Sequence, residues 1–410
     1  MSVDNCLIIG GSHAGATLAA SLRQEGWSGK IALISAEESL PYHRPPLSKS
    51  ALNGEKEGSE ILIRPADFYK KADIDVVLGA RVLKIDRVDK KIALEDGREL
   101  SYSKLALTTG ASVRRIKLPG IHLPGVCYLR DLQDVHEIRK YIGNGRSAVV
   151  IGGGYIGLEA AASLRAVGMD VTVLEALPRV LARVTSPEIS EFYARVHREE
   201  GTRVLTDVSI DRVAGEGSVT GVHLADGSYI PADLVLVGIG VSPATGLAEA
   251  AGLDVDNGIV VDEFAQTSDE DIVAAGDCTL HYNPIYKTTL RLESVQNAND
   301  QARVAARTIC GKYQPYRALP WFWSDQYDVK LQIAGSCAGF DKVVLRGDPK
   351  SGRSFAAFYF SGDTLLAVDA INQPKAFLLA KRFLSEGKTA DPLKVVDETV
   401  DLKDVFFDPR

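Results

Sequence analysis

Two stretches of the chain share one pattern of apolar and polar positions. Cys6-Leu7-Ile8-Ile9 is apolar without alternation, as in a strand buried on both faces, and Ala16 to Glu25 follows at helical spacing. Between them lies Gly10-Gly11-Ser12-His13-Ala14-Gly15. The order returns at Ala148-Val149-Val150-Ile151, a predicted strand. Gly152-Gly153-Gly154-Tyr155-Ile156-Gly157 is then the turn and Leu158 to Val167 the helix, before a strand at Val171-Thr172-Val173-Leu174. In both copies a further glycine, Gly26 or Gly168, falls sixteen residues after the first, where the helix should stop.

Strand, glycine turn and helix in this order suit a dinucleotide. The first glycine permits a tight turn, the second lets backbone approach a pyrophosphate, and the third brings helix and strand together. The phosphates then meet the positive end of the helix. A single match is weak, because a surface turn with incidental glycines looks alike; two matches, each between strand and helix, imply two nucleotide sites. Gly152, Gly154 and Gly157 complete the motif in the second copy, and Glu175 lies eighteen residues past Gly157, where a carboxylate accepts from a ribose 2′-OH. That favours NADH over NADPH, with Arg179 and Arg183 close enough in sequence to soften the preference. The first copy has Gly10 and Gly15 but Ser12 in the middle, and Ser35 at the position matching Glu175; Glu37, two residues on, is its ribose candidate.

Each copy carries an insertion. Lys84 to Ile92 and Leu100 to Thr108 read as antiparallel strands about the turn Glu95-Asp96-Gly97-Arg98, and Val219 to Leu224 and Asp233 to Val237 about Ala225-Asp226-Gly227-Ser228. They end in Thr108-Thr109-Gly110 and Val237-Gly238-Ile239-Gly240, where bare backbone at Gly110 and Gly240 suits a close cofactor. From about Trp321 the pattern changes to alternating strands, Val329 to Ala334, Lys342 to Arg346, Phe355 to Phe360 and Thr364 to Ala370, followed by a helix over Pro374 to Ser385. The fold class is therefore α/β with two Rossmann-like dinucleotide-binding domains and a C-terminal α+β domain.

The 410 residues are 45% hydrophobic and 25% charged, which excludes wholesale disorder and suggests two to four domains. A net charge of -7 without a basic block argues against nucleic acid or an anionic membrane as main partner. The five cysteines are scattered, with no Cys-x-x-Cys, as in a reduced, cytoplasmic protein. The first apolar run, Val3 to Ile9, leaves no room for a cleaved leader, and no stretch has the roughly 18 apolar residues of a membrane span.

Several segments together resemble the NADH-dependent ferredoxin reductases of bacterial oxygenase systems, within the pyridine-nucleotide flavoprotein reductases, over nearly the whole chain. They are Leu40-Pro41-Tyr42-His43-Arg44-Pro45-Pro46-Leu47-Ser48-Lys49, Ile151 through Glu159, Ala274-Ala275-Gly276-Asp277, Glu293-Ser294-Val295-Gln296-Asn297-Ala298 and Trp321-Phe322-Trp323-Ser324-Asp325-Gln326-Tyr327. The resemblance implies a tight, non-covalent FAD on the first copy and NADH on the second. It implies an FAD domain over 1–111 and 245–318, an NADH domain over 112–244 and a C-terminal domain over 319–410. It puts Lys49 by the flavin N5 region, paired with Glu159, both for positioning and electrostatics. The other FAD contacts it implies are Gly10, Ser12, His13, Ala14, Gly15, Glu37, Arg44, Pro46, Val82, Thr109, Gly110, Arg130, Gly276, Asp277, Glu293, Val295 and Trp323. For NADH they are Gly152, Gly154, Tyr155, Ile156, Gly157, Glu175, Arg183 and Gly240. No metal site is expected. Hydride would pass from NADH to FAD, then single electrons to a [2Fe-2S] ferredoxin, with Arg64, Arg303, Arg307 and Lys330 as a basic docking face.

Three other readings compete. A flavin-dependent disulfide or peroxide reductase needs a thiolate beside the flavin, yet no cysteine occurs between Cys6 and Cys127. A slow-turnover, redox-sensing interaction flavoprotein shares the Lys and Glu pair but is disfavoured by the lack of a basic surface and of a long third-domain insertion. A rubredoxin-type acceptor stays open, because docking follows surface shape and charge.

Overall fold

Two five-stranded parallel sheets organise the chain. The structure, a computed structural model, describes residues 4–409, so Val3 at the head of the first predicted run lies outside them. The chain divides into two compact units, one of residues up to His43, Gly58–Ser112 and Ser242–Pro320, the other of Arg44–Glu57, Val113–Val241 and the residues from Trp321 on.

In the first unit the strand Asn5–Ile9 is central, because Cys6, Leu7, Ile8 and Ile9 are all buried. It pairs with Lys30–Ile34 on one side and Lys104–Leu107 on the other, and Ile74–Val77 and Ile272–Ala274 close the edges. The His13–Gln24 helix buries Leu18 and Leu22 against one face, beside the Val295–Ile309 helix, whose Ala302, Ala305 and Ala306 allow close approach. Each buried leucine contributes about 1.5–3 kcal/mol of apolar transfer.

The second unit repeats the plan. Ser147–Ile151 lies between Asp170–Leu174 and Leu234–Val237, with Arg203–Leu205 and Val126–Tyr128 at the edges. The same unit carries a five-stranded antiparallel sheet in the order Trp321–Gln326, Val329–Gly335, Thr364–Ile371, Phe355–Ser361, Lys342–Arg346, packed on the Pro374–Ser385 helix. All four predicted C-terminal strands and their helix are present.

Four expectations need correction. Both first helices begin three residues earlier than their apolar spacing suggests, at His13 and Tyr155, because the last residues of each glycine motif already form the first helical turn. The run Lys84 to Ile92 breaks after Asp86 at a turn whose Lys90 has a φ of +49°, giving Val82–Asp86 and Lys91–Leu94. Leu100 to Thr108 breaks as well: Glu99–Ser101 completes a three-stranded ribbon, whereas Lys104–Leu107 belongs to the parallel sheet. The second ribbon is likewise Ile210–Gly215, Val219–Leu224 and Tyr229–Pro231, and the stretch from Asp233 supplies the parallel strand Leu234–Val237. Among the described residues no helix is long and apolar enough to cross a membrane.

Candidate active site

The two glycine turns have the same backbone geometry. Gly10 N donates to Ile34 O and Gly152 N to Leu174 O, both at 2.8 Å, and the two glycines have φ of +117° and +111°, where a side chain is strained. A methyl group on Gly10 would stand 2.1 Å from Thr108 O, and one on Gly152 2.4 Å from Gly238 O. At the third glycines it would stand 2.0 Å from Gly10 O, on Gly15, and 2.1 Å from Gly152 O, on Gly157. Nothing lies within 4 Å of such a methyl on Gly154, the N-cap of the Tyr155–Ala166 helix. The glycines that shape the turn are therefore crowded, and the one meant to face a ligand is open. An open cradle at the positive end of a helix, whose first amides lack intrahelical partners, fits a pyrophosphate. In the first copy Ser12 takes that N-cap place, ahead of His13, Ala14 and Gly15.

The acids differ as the sequence suggests. Glu175 follows the strand Asp170–Leu174 and turns back, accepting from Gly153 N at 2.8 Å and Leu177 N at 2.9 Å. Arg179 is used internally, donating to Ala182 O, Thr185 O and Ser190 Oγ. Arg183 is exposed, with its guanidinium beside Gly240. In the first unit Glu37 accepts from the buried Tyr42 hydroxyl, while Ser35 packs under Gly11.

Lys49 and Glu159 meet. The Nζ of Lys49 is 2.5 Å from Oε2 of Glu159, whose side chain is only 6% exposed. Pro45 and Pro46 open a short 3-10 turn over Pro45–Ser48, and Lys49 N closes back on Pro46 O at 3.0 Å, so the lysine leaves a stiff backbone. Ser48 Oγ donates to the same Oε2 at 2.6 Å, and Ser163 Oγ ties Ser48 O to the helix at 2.7 Å. Glu159 lies one turn past Tyr155, so one helix carries both the open cradle and the buried carboxylate. Deleting either member of such a pair leaves a buried charge uncompensated, at about 3–5 kcal/mol. Tyr155 has a buried hydroxyl, pushed well above the usual phenol range by burial, and its ring stacks 5.0 Å from Phe322; Ile156 is exposed.

The remaining candidates fall into two groups. In the second unit Arg44 Nη1 donates to Arg130 O at 2.7 Å, and Arg130 N to Asp134 at the capped start of the Leu132–Arg139 helix. Trp321 and Trp323 share a strand face with ring centres 5.6 Å apart. In the first unit Val82 is buried at the start of its ribbon, Thr109 Oγ1 donates to Ala244 O, and Gly110 O accepts from Ala244 N. Val295 begins its helix behind the Ser294 cap, and Glu293 is 2.6 Å from Arg291. Sequence reasoning missed Gln301. Its Oε1 accepts from Gly276 N at 2.9 Å and Thr279 Oγ1 at 2.8 Å, fixing the turn that presents Asp277. Its place one helical turn after the quoted Asn297, which donates to it, was the available signal.

Two further expectations concern the basic side chains and the cysteines. Arg303 is paired with Asp300 and Arg307 with Glu25, whereas the exposed Arg64 lies over the Phe68 ring, a neutral partner that leaves its charge in place. All five cysteines are free thiols, and burial pushes Cys127 and Cys337 up to about 12, away from thiolate chemistry.

Residues 4–302 match the family described as pyridine nucleotide-disulphide oxidoreductase. The chain belongs to that family. A second family, described as reductase C-terminal, matches residues 321–406. Among the relatives of this pyridine nucleotide-disulphide oxidoreductase is a ferredoxin–NAD(P)+ reductase from a Sphingomonas species, 44% identical over 94% of both chains. A rubredoxin–NAD+ reductase from Pseudomonas putida is 40% identical over 90% of this chain and 96% of its own. A solved structure of a covalent putidaredoxin reductase–putidaredoxin complex superposes with a TM-score of 0.95 at 40% identity, covering 98% of both chains. Membership implies FAD and a nicotinamide dinucleotide as cofactors. The fold is mixed α/β, with two Rossmann-like parts and a C-terminal part. Despite the family's name, this oxidoreductase has no cysteine between Cys6 and Cys127.

Proposed function

We propose that the chain is a cytoplasmic, NADH-dependent flavoprotein ferredoxin reductase that delivers single electrons to a [2Fe-2S] ferredoxin feeding an oxygenase. The observation that carries this reading is the Tyr155–Ala166 helix, which has an open glycine cradle at its start and, one turn on, the buried Glu159 bound to Lys49. FAD, when bound, accepts hydride from the nicotinamide and releases electrons one at a time. The chain is divided into an FAD domain over 1–111 and 245–318, an NADH domain over 112–244 and a C-terminal domain over 319–410.

Each group of residues has a task that follows from its surroundings. Gly10, Ser12 and Gly15 leave the first helix end open to the FAD pyrophosphate, and Glu37 and Asp277 take its hydroxyl groups. The FAD is held tightly and without a covalent link. Glu175, stiffened by two backbone amides, takes the adenosine ribose of NADH and repels a 2′-phosphate. Lys49 holds a fixed ammonium beside the flavin, because hydride transfer rewards alignment over proton exchange. Trp323 covers the flavin edge on the acceptor side.

The ferredoxin–NAD(P)+ reductase and the putidaredoxin complex support the acceptor class. The rubredoxin–NAD+ reductase supports a second reading, in which the acceptor is a rubredoxin. Cytochrome c reduction by the FAD-loaded protein separates them, with a [2Fe-2S] ferredoxin or a rubredoxin as carrier and NADPH as control. Strong stimulation by ferredoxin with NADH is expected. Stimulation by rubredoxin alone transfers the assignment. A flavin that stays reduced with either carrier leaves a slow redox-sensing protein.

A further inference from the structure

An unbroken line of hydrogen bonds runs behind the Lys49–Glu159 pair inside the second unit. Ser324 Oγ donates to Glu159 Oε1 at 2.7 Å, and Gln326 Nε2 to Ser324 Oγ at 3.1 Å. Gln326 Oε1 lies 2.9 Å from His197 Nε2, His197 Nδ1 3.4 Å from the Tyr327 hydroxyl, and that hydroxyl 2.9 Å from Thr202 Oγ1. Ser324, Gln326 and His197 are at most 1% exposed, so the bonds are completed by protein groups alone.

The direction of every bond follows by elimination. A carboxylate only accepts, so the Ser324 hydrogen points to Glu159. Ser324 then offers a lone pair to Gln326, which turns its NH₂ toward it and its carbonyl toward His197. An amide carbonyl only accepts, so His197 Nε2 carries the hydrogen. Burial pushes His197 down to about 4, so the ring is neutral and Nδ1 accepts from Tyr327. The single Tyr327 hydrogen is then committed, and Thr202 donates to its oxygen. Five donors thus point one way, toward one carboxylate oxygen, while the other oxygen takes Ser48 and Lys49. Strand alternation makes this possible: Ser324 and Gln326 face inward from Trp321–Gln326, and Trp321 and Trp323 take the opposite face.

We propose that Ser324 and Gln326 are positioning residues of the redox pair: backed by His197 and Tyr327, they hold the Glu159 carboxylate turned toward Lys49, so that the lysine ammonium has one position. This rests on the reading that Lys49 and Glu159 serve the bound flavin. A proton does not travel along the line, because the Gln326 amide has no acidic hydrogen to relay; the line orients. The other ionisable groups around it are Tyr193 on the Pro187–Glu199 helix and Glu200 after it, Arg165 on the Tyr155–Ala166 helix, Asp325 on the strand side, Arg353, and Asp369 on the Thr364–Ile371 strand.

The test titrates the Glu159 carboxyl by infrared difference spectroscopy on FAD-loaded protein carrying ¹³C-labelled glutamate, with E159Q as the blank. S324A is expected to raise the titration midpoint by about one unit or more, as loss of a hydrogen bond to a charged acceptor requires. It should slow flavin reduction by NADH roughly 10-fold, as misplaced reacting groups do, and this loss should vanish in an E159Q background. An unshifted midpoint in folded S324A, or an equal loss with E159Q, overturns the proposal. If S324A does not fold, S324C fills the site with a slightly larger side chain that is a weaker donor and carries the same test: a smaller upward shift supports the proposal and no shift overturns it. Should E159Q and K49M leave the rate of flavin reduction and the flavin potential unchanged, the functional reading of the pair fails, while the infrared midpoint still decides whether Ser324 holds the carboxylate.

Discussion

Asn5–Ile9 lies between Lys30–Ile34 and Lys104–Leu107 in the first unit, as Ser147–Ile151 lies between Asp170–Leu174 and Leu234–Val237 in the second, yet the outer strand beyond the fourth comes from opposite directions along the chain. In the first sheet Ile272–Ala274 arrives from downstream, and in the second Val126–Tyr128 arrives from upstream. The sheet tolerates either source, because an edge strand needs only a parallel partner and an apolar face. The turns tolerate much less. A methyl on Gly10 or Gly152, and on Gly15 or Gly157, would meet a backbone oxygen at similar distances, whereas the positions proposed to face the ligand diverge to Ser12 against Gly154 and Glu37 against Glu175. Positions fixed by backbone contact are shared between the copies, and those proposed to meet the two different nucleotides are not.

The largest effect should come from filling the third glycine of one copy at a time. Gly157→Ala puts a methyl 2.1 Å from Gly152 O, which cannot move without opening the turn. Overpacking of this kind costs about 1–3 kcal/mol, so NADH binding should weaken about 10- to 100-fold with FAD retained. Gly15→Ala should do the reverse, giving protein that loses FAD on purification. NADH titration of the flavin absorbance and the FAD-to-protein ratio read the two outcomes. If both variants lose the same ligand, the assignment of one nucleotide to each copy is broken.

The two turns were legible in the sequence because their signal is local. Glycine spacing, the flanking apolar runs and Glu175 all lie within a few dozen residues, and they located both turns. The helix starts were misread because Ala14-Gly15 and Ile156-Gly157 look like loop, although each glycine is required there by a neighbouring carbonyl. Edge strands such as Glu99–Ser101 and Tyr229–Pro231, and the sheet of Val255–Asp256, Gly258–Val261, Thr279–Asn283 and Thr288–Leu290, are too short to show a period. The Lys49–Glu159 pair spans 110 residues and was expected only from the family resemblance. Nothing local to Ser324, Gln326 or His197 announces that they converge on Glu159, because long-range side-chain bonds have no sequence period.

A middle-sized effect should sharpen the contrast between the acids. In Glu175→Gln one backbone amide keeps an acceptor, but the charge proposed to face the ribose is gone. NADH should bind about 10-fold more weakly, with NADPH gaining ground, as for the loss of one charge-assisted hydrogen bond. Glu37→Gln, whose carboxylate takes the Tyr42 hydroxyl, should change FAD retention and leave the NADH-to-NADPH ratio of kcat/KM where it was. A change of that ratio in Glu37→Gln would place both acids at one nucleotide.

The smallest effect concerns one buried histidine in each unit. His281 and His197 are both pushed by burial from 6.5 down to about 4, and they therefore stay neutral in the fold. With the folded value below the unfolded one, the stability they support is complete above about pH 6.5 and falls as the pH drops toward 4, because only the unfolded chain takes up the proton. Between about pH 7 and about pH 5.5 each should cost the fold about 1 kcal/mol. His281→Phe removes the titrating ring behind Gln301, whose Nε2 it meets at 3.3 Å, and a ring Nε2 that has no hydrogen-bond partner among the described residues. Its urea midpoint should consequently fall less than that of the unchanged protein over this interval. His197→Phe should flatten the pH response equally while also loosening Glu159 through Gln326, so only this variant should slow flavin reduction at neutral pH. Equal slowing by both histidine variants would mean that the line of donors in the second unit gives Glu159 no hold beyond what general destabilisation of the fold takes away.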